Sequence, residues 1–153
     1  MKLEGRLCVI AGWMLACCAA VTAQELGYWR AAGSSAQTVT GDVGFSDAKI
    51  AINFYTFPIV RARDLEPGEV SSVFDADSNS GHKGHLYKLN IPATRKFMHK
   101  NTLCGAEDTQ WLATYVEGNS LNLAFFSGEK APVFTLDAIS NSSHLCGTYT
   151  YAR

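Results

Sequence analysis

The chain has no second long apolar run, no internal repeat and no excess of one charge sign. Residues 7–21 are uncharged, and no later segment of the 153 residues is longer and equally uncharged. A run of about 15 residues is shorter than the roughly 20 that a membrane-spanning helix needs. The formal net charge is only −1, whereas binding to nucleic acid or to anionic membranes requires a strongly positive surface. We therefore expect neither a membrane-spanning protein nor a nucleic-acid-binding protein.

Sequence motifs of the common catalytic classes are also missing. There is no nucleophile elbow, zinc-protease helix, phosphate-binding glycine loop or dinucleotide fingerprint. Ser127 lacks the glycine two residues before it that a nucleophile elbow has. Acid pairs such as Glu66 with Glu69 are common in surface loops, and only their separation in space could make them glycosidase candidates. The sequence favours a non-enzymatic protein, leaves enzyme activity open, and predicts no cofactor.

The first residues follow the order of a secretion signal. A basic N-terminal region precedes the uncharged residues 7–21, and small side chains precede a cleavage site after Ala23. We predict a signal peptide over residues 1–23 and a single β-rich domain over residues 24–153. The signal carries two basic residues and one acidic residue, so its removal changes the formal charge from −1 to −2. The mature protein is expected in the periplasm or outside the cell.

A competing cleavage site lies earlier, where small and apolar residues precede Cys17. Such a sequence is also how bacterial lipoproteins are marked for acylation, which would anchor the protein to lipid at Cys17. Lipoprotein signals usually carry Leu where Met14 stands, and a second cysteine, Cys18, follows directly. Cleavage after Ala23 is therefore the preferred prediction, with a lipid anchor as the alternative.

Two cysteines, Cys104 and Cys146, remain after removal of the signal. Two thiols in an oxidising compartment are far more often bonded than free, so we predict one disulfide. It would close a loop of about 42 residues, which the chain-entropy relation values at about 4 kcal/mol. The alternative is a metal-bound pair, which needs more ligands, and only His144 lies close in sequence.

Apolar residues recur with a period of two, and turn-forming residues punctuate them, which indicates strands joined by short turns. The clearest hairpin pairs residues 111–116 with 121–126 across four turn-forming residues, and residues 133–140 are the best candidate for a short helix. We predict an all-β fold with little helix, a single antiparallel β-barrel or sandwich closed by one disulfide. Burial should alternate along the strands, with these residues inside: Ile50, Ile52, Phe54, Leu89, Ile91, Trp111, Leu121, Leu123 and Phe125.

Residues 65–84 are predicted to form a loop, and this segment contains the weak candidates for metal ligands. Asp75, Asp77 and Asn79 occupy alternate positions, a spacing that lets oxygen side chains converge on calcium. The glycine and the bidentate Glu of a helix-loop-helix calcium site are not in their places. His82 and His85 are three residues apart and could supply zinc or copper ligands. A solvated turn is the simpler interpretation of all five residues.

A basic cluster precedes Cys104. Arg95, Lys96 and Lys100 surround Phe97, and a positive patch with exposed apolar residues can bind an acidic partner. The proposed disulfide would hold this segment in a defined place. A solvated connecting loop is the alternative interpretation.

Several short blocks carry a resemblance to known sequences. They are residues 40–43, 103–105, Trp111, 123–128 and 145–151. Together they resemble a set of small exported bacterial proteins of uncharacterised function with two Cys-Gly blocks. The likeness covers residues 38–153, leaves the segment 65–84 unmatched, and implies a disulfide and a bacterial envelope setting but no activity.

These observations predict an exported, non-catalytic binding protein of the bacterial envelope, either an inhibitor or a small-ligand carrier. Its partner would be an envelope protein or a small ligand. A small secreted hydrolase and a structural component of an envelope complex are the alternatives. Convergent titratable groups in a cleft would favour the hydrolase, whereas an open sheet edge or a flat interface would favour the structural component.

Overall fold

Residues 24–77 and 79–153 are described by the computed structural model. Within them, nine strands, two α-helices and two single turns of other helix types follow one another. The strands are β1 (Gly27–Ala31), β2 (Val43–Ser46), β3 (Lys49–Ile52), β4 (Tyr55–Pro58), β5 (Val60–Leu65), β6 (Gly84–Ile91), β7 (Thr109–Glu117), β8 (Ser120–Ser127) and β9 (Leu145–Ala152). The helices are α1 (Pro67–Phe74) and α2 (Leu136–Ser140), with a π-helical turn at Ala36–Thr40 and a 3₁₀ turn at Met98–Lys100.

All nine strands belong to one antiparallel sheet in the order β4-β3-β2-β1-β9-β8-β7-β6-β5. The two edge strands, β4 and β5, are separated in the chain by Ile59 alone. The sheet therefore folds over so that its halves face each other, while no ladder pairs β4 with β5 among the described residues. The predicted all-β antiparallel class is confirmed, and the sheet is not closed into a barrel.

Side chains from both halves of the folded sheet meet in one inner core. Alternation along β3 and along the first part of β8 directs every second residue into it, as the sequence pattern predicts. Burial is confirmed for these predicted residues: Ile50, Ile52, Leu89, Ile91, Leu121, Leu123 and Phe125. Phe54 was expected inside, and this expectation is wrong because the β3–β4 turn breaks the alternation and leaves the ring exposed.

The outer face of β6, β7 and β8 is also buried, beneath the two helices. Val70 and Val73 of α1 pack there with Tyr115 and Phe126, which stand on the strands. Both faces of these central strands are thus covered, so burial along the last part of β8 is continuous and the predicted alternation is wrong there. Trp111 points to this outer face and is only partly buried, so it does not belong to the inner core as predicted.

Helix α1 occupies part of the segment that was predicted to be a loop. Glu66 stands at its N-cap, and the side chains of Glu66 and Glu69 form a reciprocal capping box with the first backbone N–H groups. Pro67 takes the first helical position, where its missing N–H costs nothing. The acid pair Glu66 and Glu69 is therefore a helix-initiating device, and the prediction of a continuous loop is wrong.

The predicted β7–β8 hairpin and the short helix are both present. Glu117 pairs with Ser120, so Gly118 and Asn119 alone form the turn. Helix α2 falls inside residues 133–140 and begins with the Thr135 hydroxyl accepting from the N–H of Ala138. The Sγ atoms of Cys104 and Cys146 are 1.97 Å apart, which is bonding distance, and the bond ties the segment before β7 to the start of β9.

No helix in residues 24–77 or 79–153 is long and apolar enough to cross a membrane. The predicted signal peptide over residues 1–23, including Cys17, lies outside the described residues.

Candidate partner-binding site

The turn between β3 and β4 presents an aromatic ring to solvent. Ile52 pairs with Tyr55, so Asn53 and Phe54 form a two-residue turn, and both have positive φ angles of 45° and 71°. Two-residue turns of this kind prefer Asn followed by Gly, because the second position tolerates a side chain poorly. Here that position carries Phe54, and the residue is 99% exposed. The hairpin therefore displays a large apolar side chain at a position where the backbone opposes one.

A second loop with left-handed backbone lies beside this turn. His99 and Lys100 have φ angles of 52° and 62°. The loop is closed by a hydrogen bond of 2.8 Å from the Phe97 N–H to the Asn101 carbonyl. The Thr38 carbonyl accepts from His99 Nδ1 at 3.0 Å and from Asn101 Nδ2 at 3.2 Å. The second loop is thus held in a fixed, uncommon conformation by contacts within itself and to Thr38.

Four of the five described non-glycine residues with positive φ belong to these two loops, and the fifth, Asp75, ends α1. A left-handed conformation costs an ordinary residue roughly 1–2 kcal/mol. Such strain concentrates at functional sites, so its concentration here marks this end of the molecule as the candidate site.

Between the loops runs a shallow groove of about 390 Å³. It is lined by Tyr28, Gly41, Asp42, Val43, Gly44, Ala51, Asn53, Phe54 and Met98. Gly41 has a φ of 64°, and a Cβ there would stand 2.9 Å from the sulfur of Met98. The close approach of Met98 to the backbone therefore depends on glycine, and it seats the second loop against the chain just before β2.

One edge of the groove is polar. The Tyr28 hydroxyl donates to Asp42, and the Ala31 N–H donates to the same carboxylate at 2.8 Å. These two hydrogen bonds lower the pKa of Asp42, and the bond to Asp42 raises the pKa of Tyr28. Asp42 is therefore an ionised side chain that is already satisfied within the molecule.

The predicted basic cluster lies beside the β3–β4 hairpin, where it contacts Tyr55, which is not among the residues that line the groove. The guanidinium of Arg95 lies 4.3 Å from the ring centroid of Tyr55, a cation–π contact. Phe97 is only 6% exposed and packs edge-on against Tyr55 and Phe57, so it supports this surface from below and does not form part of it. Lys96 and Lys100 are exposed. We call Phe54, Tyr55, Arg95, Met98 and Lys100 the tip surface.

The five candidate metal ligands are not brought together. Asp75 ends α1, Asp77 accepts a hydrogen bond from the Asn79 N–H at 2.8 Å, and the His82 ring stands edge-on to Tyr115. Among the described residues, no group of three or more His, Cys, Asp or Glu side chains is placed to hold a metal ion.

His85, the fifth of them, belongs to a buried polar cluster that the sequence does not reveal. Its Nδ1 hydrogen-bonds to Glu25 Oε1, which also accepts from the Thr114 hydroxyl. Burial acts to raise the pKa of Glu25, but these hydrogen bonds and the charge of His85 outweigh it and hold that pKa below its usual range. Glu25 Oε2 has no hydrogen-bond partner among residues 24–77 and 79–153. The cluster closes one end of the inner core.

A serine and a histidine also meet, which bears on the hydrolase alternative. Ser127 Oγ is 3.1 Å from Nδ1 of His144, and Oε2 of Glu107 is 3.9 Å from the same nitrogen. A catalytic triad places the nucleophile and the acid on different ring nitrogens, so that a proton can pass between them. Ser127 is also buried. The geometry is that of a structural contact between β8 and the chain before β9.

Comparison of the chain with models of known protein families, with characterised proteins and with solved structures finds no match.

Proposed function

We propose that the protein is an exported, non-catalytic binding protein of the bacterial envelope that engages a partner protein through the tip surface. The observation that carries this proposal is Phe54, a ring that is 99% exposed on a left-handed backbone. A solvent-exposed aromatic residue at a strained position brings the isolated protein no packing energy. Its energetic value is realised when a partner buries the ring.

The shape of the tip surface favours an inhibitor over a small-ligand carrier. A carrier of the barrel or sandwich type holds its ligand between the sheet halves, and here that space contains Trp29, Phe125 and Tyr151, all fully buried. A ring that protrudes from a short hairpin instead fits a concave pocket on another protein. The adjacent groove then receives the rim of that pocket.

The open sheet edges offer less support for a structural role in an envelope complex. Strand β4 carries Pro58, which has no N–H to donate to an added strand. Strand β5 carries Arg61, Arg63 and Asp64, charged side chains of the kind that prevent edge pairing. These residues disfavour the addition of a strand to either edge. The tip surface is therefore the part of the molecule best suited to binding a partner.

Site-specific photocrosslinking in the cell envelope tests the proposal. A benzoylphenylalanine at position 54 is expected to give a discrete crosslinked protein. The same residue at position 136 is the matched control, because Leu136 is also an exposed apolar side chain, at 69%, but lies on α2. Phe54→Ala should then weaken binding of the captured protein at least tenfold, while Leu136→Ala leaves it unchanged. Equal crosslinking from both positions, or full affinity of Phe54→Ala, contradicts the proposal.

A further inference from the structure

Arg95 is held in one orientation against Tyr55, the residue that follows Phe54. Its guanidinium stacks over the ring of Tyr55 at 4.3 Å, and that ring is fixed in turn by the edge of Phe97 at a centroid distance of 6.2 Å. Tyr55 directly follows Phe54 in the chain, so the guanidinium lies over the residue next to the protruding ring. The stacking restricts the arginine before any partner arrives, which lowers the entropic cost of using it.

The donors of this guanidinium have no acceptors in the described part of the chain. Arg95 makes no side-chain hydrogen bond and no ion pair with any described residue, although its Nε is shielded from solvent. A buried donor without an acceptor costs free energy comparable to a lost hydrogen bond. A guanidinium that is partly stripped of water and unpaired therefore gains more from an anion than an exposed lysine does.

The other charged residues of segment 95–100 have the same sign as Arg95. Lys96 and Lys100 follow Arg95 on the same segment, and neither takes part in an ion pair with a described residue. Asp42, the carboxylate that lines the groove, is already satisfied by the Tyr28 hydroxyl and the Ala31 N–H. Segment 95–100 is thus positive on a chain whose net charge is −1, while the Asp108 carboxylate accepts from the Ala93 N–H at 2.8 Å, two residues before Arg95.

We infer that the partner protein places a carboxylate against Arg95 when its pocket receives Phe54, an inference that rests on the proposed function. The planar fork of arginine matches a carboxylate through two parallel N–H···O hydrogen bonds. The contact fixes the orientation of the hairpin, since the ring and the ion pair are anchored at two separate points. An apolar anchor next to a single arginine suits the rim of a protein pocket better than a polyanion, which would need a continuous basic stripe.

Nuclear magnetic resonance of the protein purified after export provides the first test. The Arg95 Nε–H signal, assigned by its loss in Arg95→Lys, is followed during titration with N-acetyl-glutamic acid α-amide. N-acetyl-glutamine α-amide is the matched control, because it differs only in lacking the carboxylate. We expect a saturable shift in the millimolar range with the acid and none with the amide. Equal shifts with both compounds, or no shift with either, overturn the inference.

Affinities for the protein crosslinked from position 54 provide the second test. Arg95→Lys keeps the positive charge but removes the planar guanidinium that can form two parallel hydrogen bonds. We expect this variant to weaken binding about tenfold. Lys96→Gln should weaken binding no more than about threefold and reduce its salt dependence. Circular dichroism and the unfolding midpoint establish that both variants fold, and Arg95→Gln replaces Arg95→Lys if the latter does not.

The outcomes separate the inference from the function on which it rests. If Phe54→Ala loses binding while Arg95→Lys and Arg95→Gln keep it, the inferred carboxylate contact to Arg95 is wrong. The proposal that the tip surface binds a partner is then still supported. If Phe54→Ala binds normally, the proposed function itself is wrong. If millimolar inorganic phosphate displaces the partner and acetate at equal ionic strength does not, the site recognises phosphate, and the inference of a carboxylate fails.

Discussion

Nδ1 of His85 hydrogen-bonds to Oε1 of Glu25, although 60 residues separate them in the chain. The pair joins the segment before β1 to the start of β6, and both side chains are buried. The Thr114 hydroxyl adds a hydrogen bond from β7 to the same carboxylate oxygen. One carboxylate thus connects three parts of the chain at one end of the inner core.

This arrangement predicts acid sensitivity. The pKa of Glu25 is lower in the folded protein than its usual value, so folding favours the ionised form. Its contribution is fully present above the unfolded pKa, which is near 4.3, and is lost as pH falls through the lower folded pKa. Glu25→Gln should reduce the free energy of unfolding by about 2 kcal/mol at pH 7. Urea unfolding of both proteins from pH 7 to pH 3 measures this difference.

The comparison with Glu25→Gln also removes the contribution of other acids. The pKa values of Asp42, Asp64 and Glu69 are lowered by hydrogen bonds as well, and these side chains are present in both proteins. The stability difference between the two proteins should therefore shrink below about pH 4 because of Glu25 alone. A difference that stays constant down to pH 3 would show that the carboxylate contributes through packing and not through its charge.

The turn at Phe54 predicts a conflict between stability and binding. Phe54→Gly removes the left-handed penalty and no packing, since the ring is almost fully exposed, so the free energy of unfolding should rise by about 1 kcal/mol. Phe54→Ala keeps the penalty and should leave stability nearly unchanged. Both variants should lose the binding proposed above for the tip surface. Urea midpoints of the three proteins check the prediction, and a destabilised Phe54→Gly would mean that the ring packs within its own molecule.

The alternation of apolar and polar residues along single strands correctly predicted much of the fold. Ile50 and Ile52, and likewise Leu121 and Leu123, follow the period of two that a half-buried strand requires, and all four are buried. The same pattern wrongly predicted that Phe54 is buried. It was extended past Asn53, a residue type that favours turns, and the strand ends there. Asn53 followed by a fresh alternation at Tyr55 and Phe57 is a signal that could have located the hairpin.

Helix α1 was missed although its start has a sequence signature. Pro67 preceded by Glu66 and followed by Glu69 is compatible with a capped first turn, and Val70 and Val73 are spaced for one helical face. The abundance of loop-forming residues after it obscured this short pattern. The pairing of Glu25 with His85 left no local trace, because contacts between distant segments have no spacing in the sequence.

The disulfide can be checked by intact mass. Protein comprising residues 24–153 and purified under oxidising conditions should gain the mass of two hydrogen atoms on reduction, because Cys104 and Cys146 are bonded. Replacing both with Ser should lower the free energy of unfolding by about 2–4 kcal/mol through the longer unconstrained chain. Two free thiols under oxidising conditions would contradict the pairing. Cys104→Ser alone should leave one reactive thiol at Cys146, which labelling with a maleimide detects.

Gly84 and Gly68 form a matched pair that tests the packing of α1 on the sheet. A Cβ at Gly84 would stand 2.8 Å from the Thr114 carbonyl oxygen and 2.9 Å from Cγ2 of Val70, so backbone or helix must shift. Gly84→Ala should therefore lower the free energy of unfolding by about 1–3 kcal/mol. A Cβ at Gly68, within α1, meets nothing within 4 Å, and Gly68→Ala should raise it by about 0.5 kcal/mol through helix propensity. Thermal and urea unfolding of both variants measure whether the free energy of unfolding falls for Gly84→Ala and rises for Gly68→Ala. If Gly84→Ala is as stable as the parent, α1 does not press on β6 as described.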